Sequence, residues 1–254
     1  QDMIRQLRGA GVLEFRIAFS EAEVPGVQTY REQLQQRGPA GGTTEDFRWF
    51  AVDDIEKWVD DAYDMATSRR TMSLESKRRI RDQIETQLRE VPEQFFAQRN
   101  LIGAEYGGKY YILLSNRAES SLTKAKPGWA LTRASRSGDQ MGFPAVAFEL
   151  NVVGGQYMGQ LTGDHRQKPM AILLDDRVIS APNIQSTIYD RGQITGGSGG
   201  FSERELSYLV KTLQAGSLSA KLSDQPVSEQ KIGPQFGQDN LTTGLRAIFI
   251  ALVA

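Results

Sequence analysis

Residues 170–180 read Met-Ala-Ile-Leu-Leu-Asp-Asp-Arg-Val-Ile-Ser and are the most informative part of the sequence for the fold. The run Met170–Leu174 is apolar throughout, which predicts a strand buried on both faces. Asp175 and Asp176 follow as turn residues, because an Asp side chain can bond its own backbone. Arg177–Ser180 then predicts a return strand. The stretch as a whole is therefore predicted to be a β-hairpin.

Further strands and helices are predicted on both sides of this hairpin. Upstream, Pro144–Leu150 alternates as a strand and Gly154 opens a helix. Downstream, Ser202 and Glu205 form a capping box in front of apolar residues at helical spacing. The two remaining predicted strands are Gln193–Thr195 and Leu218–Leu222.

The order of these elements is β-α-β-β-α-β, which is typical of the ferredoxin-like fold. We therefore predict an α+β protein with a ferredoxin-like base formed by residues 1–19 and 141–232. Residues 12–19 join this base because Leu13, Phe15 and the following alternate positions predict a strand.

Residues 20–140 are predicted to form an inserted, mainly helical head subdomain. Gly38-Pro39 and Pro92 predict helix ends, and Tyr110–Leu114 predicts a short strand. Ser115–Gly142 is polar and is predicted to be a connecting loop. The apolar residues at helical spacing are Val27, Tyr30 and Leu34, then Ile55, Trp58, Val59, Ala62 and Ala66, then Ile80, Ile84, Leu88 and Val91.

The composition is that of a globular domain with no strong charge. The 254 residues are 39% hydrophobic, which is enough to form a core. The net charge is −1, from 30 basic and 31 acidic residues, so the sequence lacks the basic footprint of a nucleic-acid binder. The sequence has no cysteine, which excludes disulfides, cysteine-ligated zinc and thiol catalysis.

Residues 233–254 end in an apolar run. Nine of the last ten residues, 245–254, are apolar, and a bilayer-spanning helix needs about 20 such residues. We expect this run to be the start of a truncated transmembrane helix, so that the chain is a domain taken from a membrane protein. The alternative is a final helix that packs on the core.

No motif predicts catalysis, a metal or a cofactor. His165 has no serine or carboxylate partner in a known triad pattern. Asp175 and Asp176 are better explained as a turn than as metal ligands. The glycine-rich loop 195–202 lacks the Gly-Lys-Ser/Thr of a phosphate-binding loop, so a flexible connection is favoured. A basic cluster is interleaved with acidic residues and predicts a solvated helix face; its members are Arg69, Arg70, Lys77, Arg78, Arg79 and Arg81.

Several motifs occur together in an order typical of one family. They are Leu13–Arg16, Gly142–Phe148, Ala171–Asp175, Val178–Pro182, Gly192–Gly196, Leu213–Leu218 and Ile232–Asn240. In this order they resemble the periplasmic region of SecD, an accessory membrane subunit of the bacterial Sec protein-export machinery that is fused to SecF in some bacteria. Two departures stand out: Asp175-Asp176 replaces the family's usual Asp-Gly, and the loop at Gly196–Gly200 is longer than usual.

The resemblance implies a non-enzymatic, extracytoplasmic domain on the periplasmic side of the bacterial inner membrane. The implied role is to bind emerging preprotein and to support export driven by the proton-motive force. The implied partners are unfolded preprotein, a SecF-type half, a SecYEG-type translocon and the membrane, with no nucleic acid and no cofactor.

Two sets of residues are predicted to carry this role. Aromatic residues of the insert mostly belong in its core, but any that are exposed are candidates for contact with preprotein; this set is Tyr30, Phe47, Trp49, Phe95 and Phe96. Hinge residues are expected at the two crossings between base and head; this set is Ser20, Pro25, Gly138 and Gly142.

Two other classes of function remain open from the residues. The chain could be the periplasmic loop of a related proton-driven solute exporter, which an enclosed small-molecule pocket would favour. It could also be a stand-alone enzyme on a ferredoxin-like fold, which would need a convergent site of titratable groups.

Overall fold

The computed structural model describes residues 11–67, 72–196 and 200–217, and it combines helices with sheets as predicted. The strands are β1 (Leu13–Ile17), β2 (Phe47–Val52), β3 (Gly103–Tyr106), β4 (Lys109–Ser115), β5 (Ser121–Leu122), β6 (Leu131–Gly138), β7 (Pro144–Leu150), β8 (Met170–Leu174), β9 (Arg177–Ser180) and β10 (Arg191–Thr195). The helices are α1 (Val27–Gly41), α2 (Ile55–Thr67), α3 (Leu74–Glu90), α4 (Pro92–Ala97), α5 (Val152–Asp164) and α6 (Glu203–Ser217).

Seven strands form one sheet in the order β3-β4-β2-β9-β8-β1-β5. Neighbouring strands are antiparallel, except for the parallel pair β2 and β9. Every residue of β8 is buried, as predicted for a strand packed on both faces. Asp175 and Asp176 have φ angles of 50° and 63°. Two successive positive φ angles are what a two-residue type I′ turn requires, so the predicted hairpin is confirmed.

This sheet curls until β1 meets β4, although three strands separate them in the sheet order. Ala18 forms an antiparallel bridge with Leu114, and Arg16 Nη1 donates a hydrogen bond to Ser115 O at 3.0 Å. Buried residues of β2, β4, β8 and β9 pack with those of α2, α3 and α4 in one cluster. Strands from the predicted base and helices from the predicted head therefore share a core.

The other three strands form a second sheet in the order β10-β7-β6, which packs against α6. The predicted capping box is confirmed, since Ser202 N donates to Glu205 Oε2 at 2.9 Å and Glu205 N donates to Ser202 Oγ at 3.4 Å. Gly11 has a φ of 59° and lies directly against α6. A β-carbon at this position would clash with α6, because it would lie 2.0 Å from Thr212 O. The chain therefore enters β1 alongside the last turns of α6.

The elements predicted for the base between Leu13 and Ser217 exist, but their pairing differs from a single ferredoxin-like sheet. β7 lies in the three-stranded sheet, whereas β8 and β9 lie in the seven-stranded sheet. The reason is that β1 pairs with the whole of β8, from Leu13 opposite Leu174 to Ile17 opposite Met170. Both edges of β7 are taken by β6 and β10. Hydrophobic alternation identifies strands, but it does not choose their partners.

Residues 20–140 contain more helix than strand, as predicted, but they hold five strands, β2 to β6, where the sequence predicted one. The prediction of a connecting loop at Ser115–Gly142 is wrong, because this segment contains β5 and β6. Only Leu131 and Ala134 of β6 are buried. The strand therefore has no apolar alternation that a sequence pattern could reveal. The predicted helix end at Gly38 is confirmed, since its φ of 72° interrupts α1.

Some predictions fall outside the described residues. They are the strand Leu218–Leu222, the transmembrane segment within 233–254, the basic residues Arg69 and Arg70, and the middle of the loop 195–202. Among the helices within 11–67, 72–196 and 200–217, none has the length and apolar character that crossing a bilayer requires.

Candidate binding groove

The candidate site is built on α5, which begins at a well-formed cap. Asn151 Oδ1 accepts a hydrogen bond from Gly154 N at 2.8 Å, as expected for an N-cap asparagine. The same oxygen accepts from Ala130 N at 3.1 Å. This double contact fixes the start of α5 to the segment that precedes β6.

One face of α5 consists of glycines, and the segment 187–190 packs directly on it. Gly155, Gly159 and Gly163 lie one turn apart. A β-carbon would lie 3.4 Å from Asp190 at Gly155, 2.7 Å from Tyr189 at Gly159 and 3.8 Å from Thr187 at Gly163. The missing side chain at Gly159 thus allows the Tyr189 ring to lie against the helix.

Hydrogen bonds hold the segment 187–190 in this position. Thr162 Oγ1 accepts from Ile188 N at 2.8 Å and donates to Met158 O at 2.7 Å. Leu150 N donates to Asp190 O at 2.7 Å. The backbone on either side of Tyr189 is therefore anchored, while its side chain remains 63% exposed.

An open groove of about 560 Å³ lies between α5 and Tyr189. Its apolar surface includes Val152, which is 77% exposed, and the ring of Tyr189. The amides of Gln156 and Gln160 make no hydrogen bond within the described residues and are exposed. The groove is lined by Val152, Gly155, Gln156, Gly159, Gln160, Tyr189 and Asp190.

The groove can bind apolar and amide groups, and it has few groups for other chemistry. Asp190 is its one ionisable carboxylate. His165 lies at the end of α5, where Nδ1 contacts Leu161 O at 2.9 Å. Across residues 11–67, 72–196 and 200–217, no group of three or more His, Asp or Glu side chains is placed to hold a metal ion.

The aromatic residues predicted to contact preprotein are mostly core residues. Phe47, Trp49, Phe95 and Phe96 are at most 8% exposed. Phe47 and Trp49 pack with α1, and Phe95 and Phe96 pack inside the curled sheet. Buried rings offer no surface to another chain in this conformation. Tyr30 is partly exposed and lies against Phe47, with 5.7 Å between ring centroids; a contact role for it stays a prediction.

The first predicted hinge crossing is held by an ion pair. Ser20 N and Oγ both donate to Glu23 Oε2, at 3.0 and 2.8 Å. Lys168 Nζ donates to Glu23 Oε1 at 2.6 Å, and this bond lowers the pKa of Glu23 from 4.5 to about 2, with the Ser20 bonds contributing. Pro25 is exposed at the end of this segment.

The second predicted crossing is a compact turn between β6 and β7. Asp139 Oδ1 accepts from Met141 N and Phe143 N, both at 2.8 Å, and Asp139 O accepts from Gly142 N at 3.0 Å. Gly142 has a φ of 85°, which favours glycine. Both crossings are thus hydrogen-bonded turns, and a hinge role for Ser20, Pro25, Gly138 and Gly142 stays a prediction.

The part of the predicted basic cluster that the structure describes has the expected solvated pairs. Arg79 pairs with Glu75 along α3, and Arg81 pairs with Glu85 and with Asp60 of α2. These side chains are 39% to 76% exposed, so the cluster is a solvated face between two helices.

Comparison with known proteins identifies relatives of the chain. The family model described as SecDF, P1 head subdomain, matches residues 112–220. Protein translocase subunit SecD of Aquifex aeolicus (strain VF5) is 32% identical over 183 residues, which cover 72% of this chain and 34% of that protein. This chain is a SecD homologue. The predicted resemblance to the SecD and SecDF family is confirmed.

A second SecD protein and one solved structure are also similar to this chain. Protein translocase subunit SecD of Rickettsia prowazekii (strain Madrid E) is 36% identical over 151 residues, covering 59% of this chain and 27% of that protein. The chain thus spans about a quarter to a third of these relatives. A solved structure described as a membrane component SecDF that enhances protein export is 22% identical, with a TM-score of 0.40, and the match covers 86% of this chain and 70% of that one.

The residues that match the family model of the head subdomain differ from the residues predicted to form the head of this SecD homologue. The match covers residues 112–220, whereas the predicted head is 20–140, so the two share only 112–140. Every residue that lines the groove lies within the matched range. Sequence reasoning missed the groove, although the four-residue spacing of Gly155, Gly159 and Gly163 was a usable signal.

An alanine scan of this glycine face tests the packing of Tyr189. Gly163→Ala is expected to raise the free energy of unfolding by about 0.5–1 kcal/mol, because alanine favours the helix and the site has room. Gly159→Ala is expected to lose that gain and to lower stability by about 1 kcal/mol, because its methyl group must displace the Tyr189 ring. Chemical denaturation measures both, and equal gains in the two variants would contradict the packing described here.

The pairing of Lys168 with Glu23 predicts a pH dependence. Because the pKa of Glu23 is lowered from 4.5 to about 2, the stabilisation is complete above pH 4.5 and is lost as the pH falls to about 2. Glu23 is 39% exposed, so solvent screening limits the effect to about 1 kcal/mol. We expect Lys168→Met to cost this amount at pH 7.

Denaturation at several pH values tests this expectation. The difference between the wild-type chain and Lys168→Met should shrink between pH 4.5 and pH 2. Lys124→Met is the control, because Lys124 is exposed and has no ion pair among the described residues. A difference that is constant from pH 7 to pH 2 would show that the ion pair contributes nothing.

Proposed function

We propose that this chain is the extracytoplasmic part of a Sec protein-export accessory subunit of the bacterial inner membrane, on the periplasmic side. We propose further that it contacts emerging preprotein through the groove between α5 and Tyr189. The observation that carries this proposal is the position of the groove, which lies wholly within residues 112–220, the range matched by the SecDF family model.

The chemistry of the groove supports an unfolded polypeptide as its ligand. An unfolded chain presents apolar side chains and unpaired peptide groups. In the groove, the exposed side chains of Val152 and Tyr189 can contact apolar side chains of such a chain. The amides of Gln156 and Gln160 can bond its peptide groups. Such a surface binds weakly and tolerates many sequences.

The open form of the groove favours this function over the alternative of a solute exporter. A small molecule is usually held in a concave pocket that buries most of its surface. Here Val152 and Tyr189 are 77% and 63% exposed, so the groove cannot enclose a small ligand. The groove also lacks the convergent titratable groups that an enzyme would need.

The proposed partners in the membrane follow from the relationship to SecD. They are a SecF-type half, a SecYEG-type translocon and the membrane itself, and the proton-motive force would drive the export step. The division into base and head remains a prediction. With the boundaries predicted from the sequence, movement of the head relative to the base would require residues 20–140 to move as one body. Such a movement would break the β2–β9 pairs of Ala51 with Arg177 and Val52 with Val178.

Site-directed photo-crosslinking during export tests the proposal. A photo-reactive phenylalanine derivative replaces Tyr189 in the full-length protein, and a preprotein is arrested during translocation. We expect adducts from position 189. Tyr208 is the matched control, because it is also exposed, at 46%, but lies on α6 and does not line the groove. Adducts from position 208 and none from 189 would refute the groove as the contact surface.

A further inference from the structure

The outer edge of β6 has no strand partner within residues 11–67, 72–196 and 200–217. With eight residues, β6 is the longest strand in that part of the chain. It pairs with β7 in an unbroken register from Ala134 opposite Phe148 to Gly138 opposite Pro144. The one irregularity lies at its start, between Leu131 and Arg133. The edge is therefore long and regular over most of its length.

Natural sheets usually protect an exposed edge with short strands, proline, charged side chains (most often lysine) or bulges. β5 has two residues, and β3 has four, with Gln35 Nε2 donating to Glu105 O at its edge. β6 contains neither proline nor lysine. Two of its carbonyls accept side-chain hydrogen bonds, Ala134 O from Gln214 and Gly138 O from Gln193. The other protective features of β6 are Arg133, Arg136 and the irregularity at its start, and the strand has no bulge or proline from Ala134 to Gly138.

The side chains of β6 leave room for another backbone. Thr132, Ser135 and Ser137 are small, and Ala134 is buried beneath α6. Arg136 is turned towards α6, where it bonds Glu203 Oε2 at 2.7 Å. The only long side chains of β6 itself, apart from Leu131, are the two arginines, and Arg136 is held against α6.

The charges on β6 favour another polypeptide over a second copy of this chain. If two copies of β6 pair in antiparallel orientation about the middle of the strand, arginines from the two copies become neighbours. Arg133 or Arg136 of one copy then lies opposite an arginine of the other copy, or diagonal to one. Like charges in such positions are destabilising. Arg133 is exposed and lies opposite Glu149 of β7, but it makes no ion pair among the described residues, so its guanidinium group can bind a carboxylate of a different chain.

We propose that the β6 edge binds an extended segment of unfolded polypeptide as an added strand, with an acidic residue of that segment near Arg133. Backbone hydrogen bonds supply the affinity in this mode, so the site tolerates many sequences. The inference rests on the proposed function for the source of the segment, which is the preprotein. It adds a main-chain site to the side-chain groove at Tyr189.

Peptide binding to the full-length protein tests this inference. The probe is an eight-residue peptide of alternating valine and threonine with one glutamate. Its control is the same peptide with alternate amides N-methylated, which cannot extend a sheet on that edge. We expect slower hydrogen exchange in residues 131–138 with the first peptide and at least about tenfold weaker binding of the second. Equal affinity for the two peptides would overturn the proposal.

Two further measurements separate the edge from its alternatives. Tyr189→Ala should leave the protection of residues 131–138 unchanged, and loss of this protection would assign binding to the groove instead. Protection that rises with protein concentration in the absence of peptide would identify a self-association surface and also overturn the proposal. If peptide protects β6 but position 189 gives no preprotein adducts, the edge site stands and the proposed role of the groove fails.

Discussion

Replacing Arg16 with methionine is expected to lower the free energy of unfolding by about 3–5 kcal/mol. Arg16 is only 6% exposed, and Nη1 donates to Ser115 O at 3.0 Å and to Asn116 Oδ1 at 3.2 Å. Its Nε donates to Glu14 Oε2 at 2.9 Å. Methionine would leave a buried carbonyl without a donor and the Glu14 carboxylate without its counter-charge, and both are costly. It would also remove the side-chain link between β1 and the end of β4.

Arg48→Met is the matched control for this experiment. The guanidinium groups of Arg16 and Arg48 lie 4.8 and 4.7 Å from the centroid of the Phe50 ring, so both variants lose a similar cation–π contact. Arg48 is 40% exposed, and its ion pair with Asp176 is long, at 3.6 Å. We expect Arg48→Met to lower the free energy of unfolding by less than about 1 kcal/mol. Equal losses in denaturation would show that the cation–π contact, not the buried hydrogen bonds, stabilises the closed sheet.

Phe96→Ala is expected to cost about 3–5 kcal/mol of unfolding free energy. The Phe96 ring is fully buried and lies 5.2 Å from the ring of Phe95 and 6.0 Å from that of Trp58, between centroids. Gly103 lies against it so closely that a β-carbon there would be 2.0 Å from Phe96 Cδ2. Alanine would therefore leave a cavity between α4 and β3 that rigid neighbours cannot fill.

This variant also distinguishes a core role for Phe96 from the contact role predicted from the sequence. A ring that served only to bind preprotein could be removed with little loss of stability. Tyr208→Ala removes an exposed aromatic ring and should cost less than about 0.5 kcal/mol. If Phe96→Ala were as stable as Tyr208→Ala, the packing inside the curled sheet would be wrong.

The sequence was most informative where a pattern is local. The apolar run of β8, the turn at Asp175-Asp176 and the capping box at Ser202 each depend on residues that lie close together in the chain, and each was confirmed. The family motifs identified the SecD relationship for the same reason, since they are short and ordered. Local patterns therefore predicted these three features and the relatives correctly.

The pairing of strands depends on residues far apart in sequence and could not be predicted. β1 pairs with β8 across more than 150 positions, and the bridge from Ala18 to Leu114 leaves no periodic trace. β6 was missed because its exposed side is polar and its buried side has only two residues. The groove was missed because it depends on absent side chains at Gly155 and Gly159, which no search for reactive or aromatic residues can find.

The close approach of Gly11 to Thr212 has a consequence for engineering. It places the start of β1 beside the final turns of α6, so two distant points of the chain are neighbours in space. Circular permutation and insertion into a host loop require neighbouring ends, and a segment trimmed to residues 11–217 would have them. A gene for this segment that joins Gly11 to Ser217 through a short glycine linker, and opens the chain at the exposed Gly107-Gly108 turn, should still encode the same two sheets.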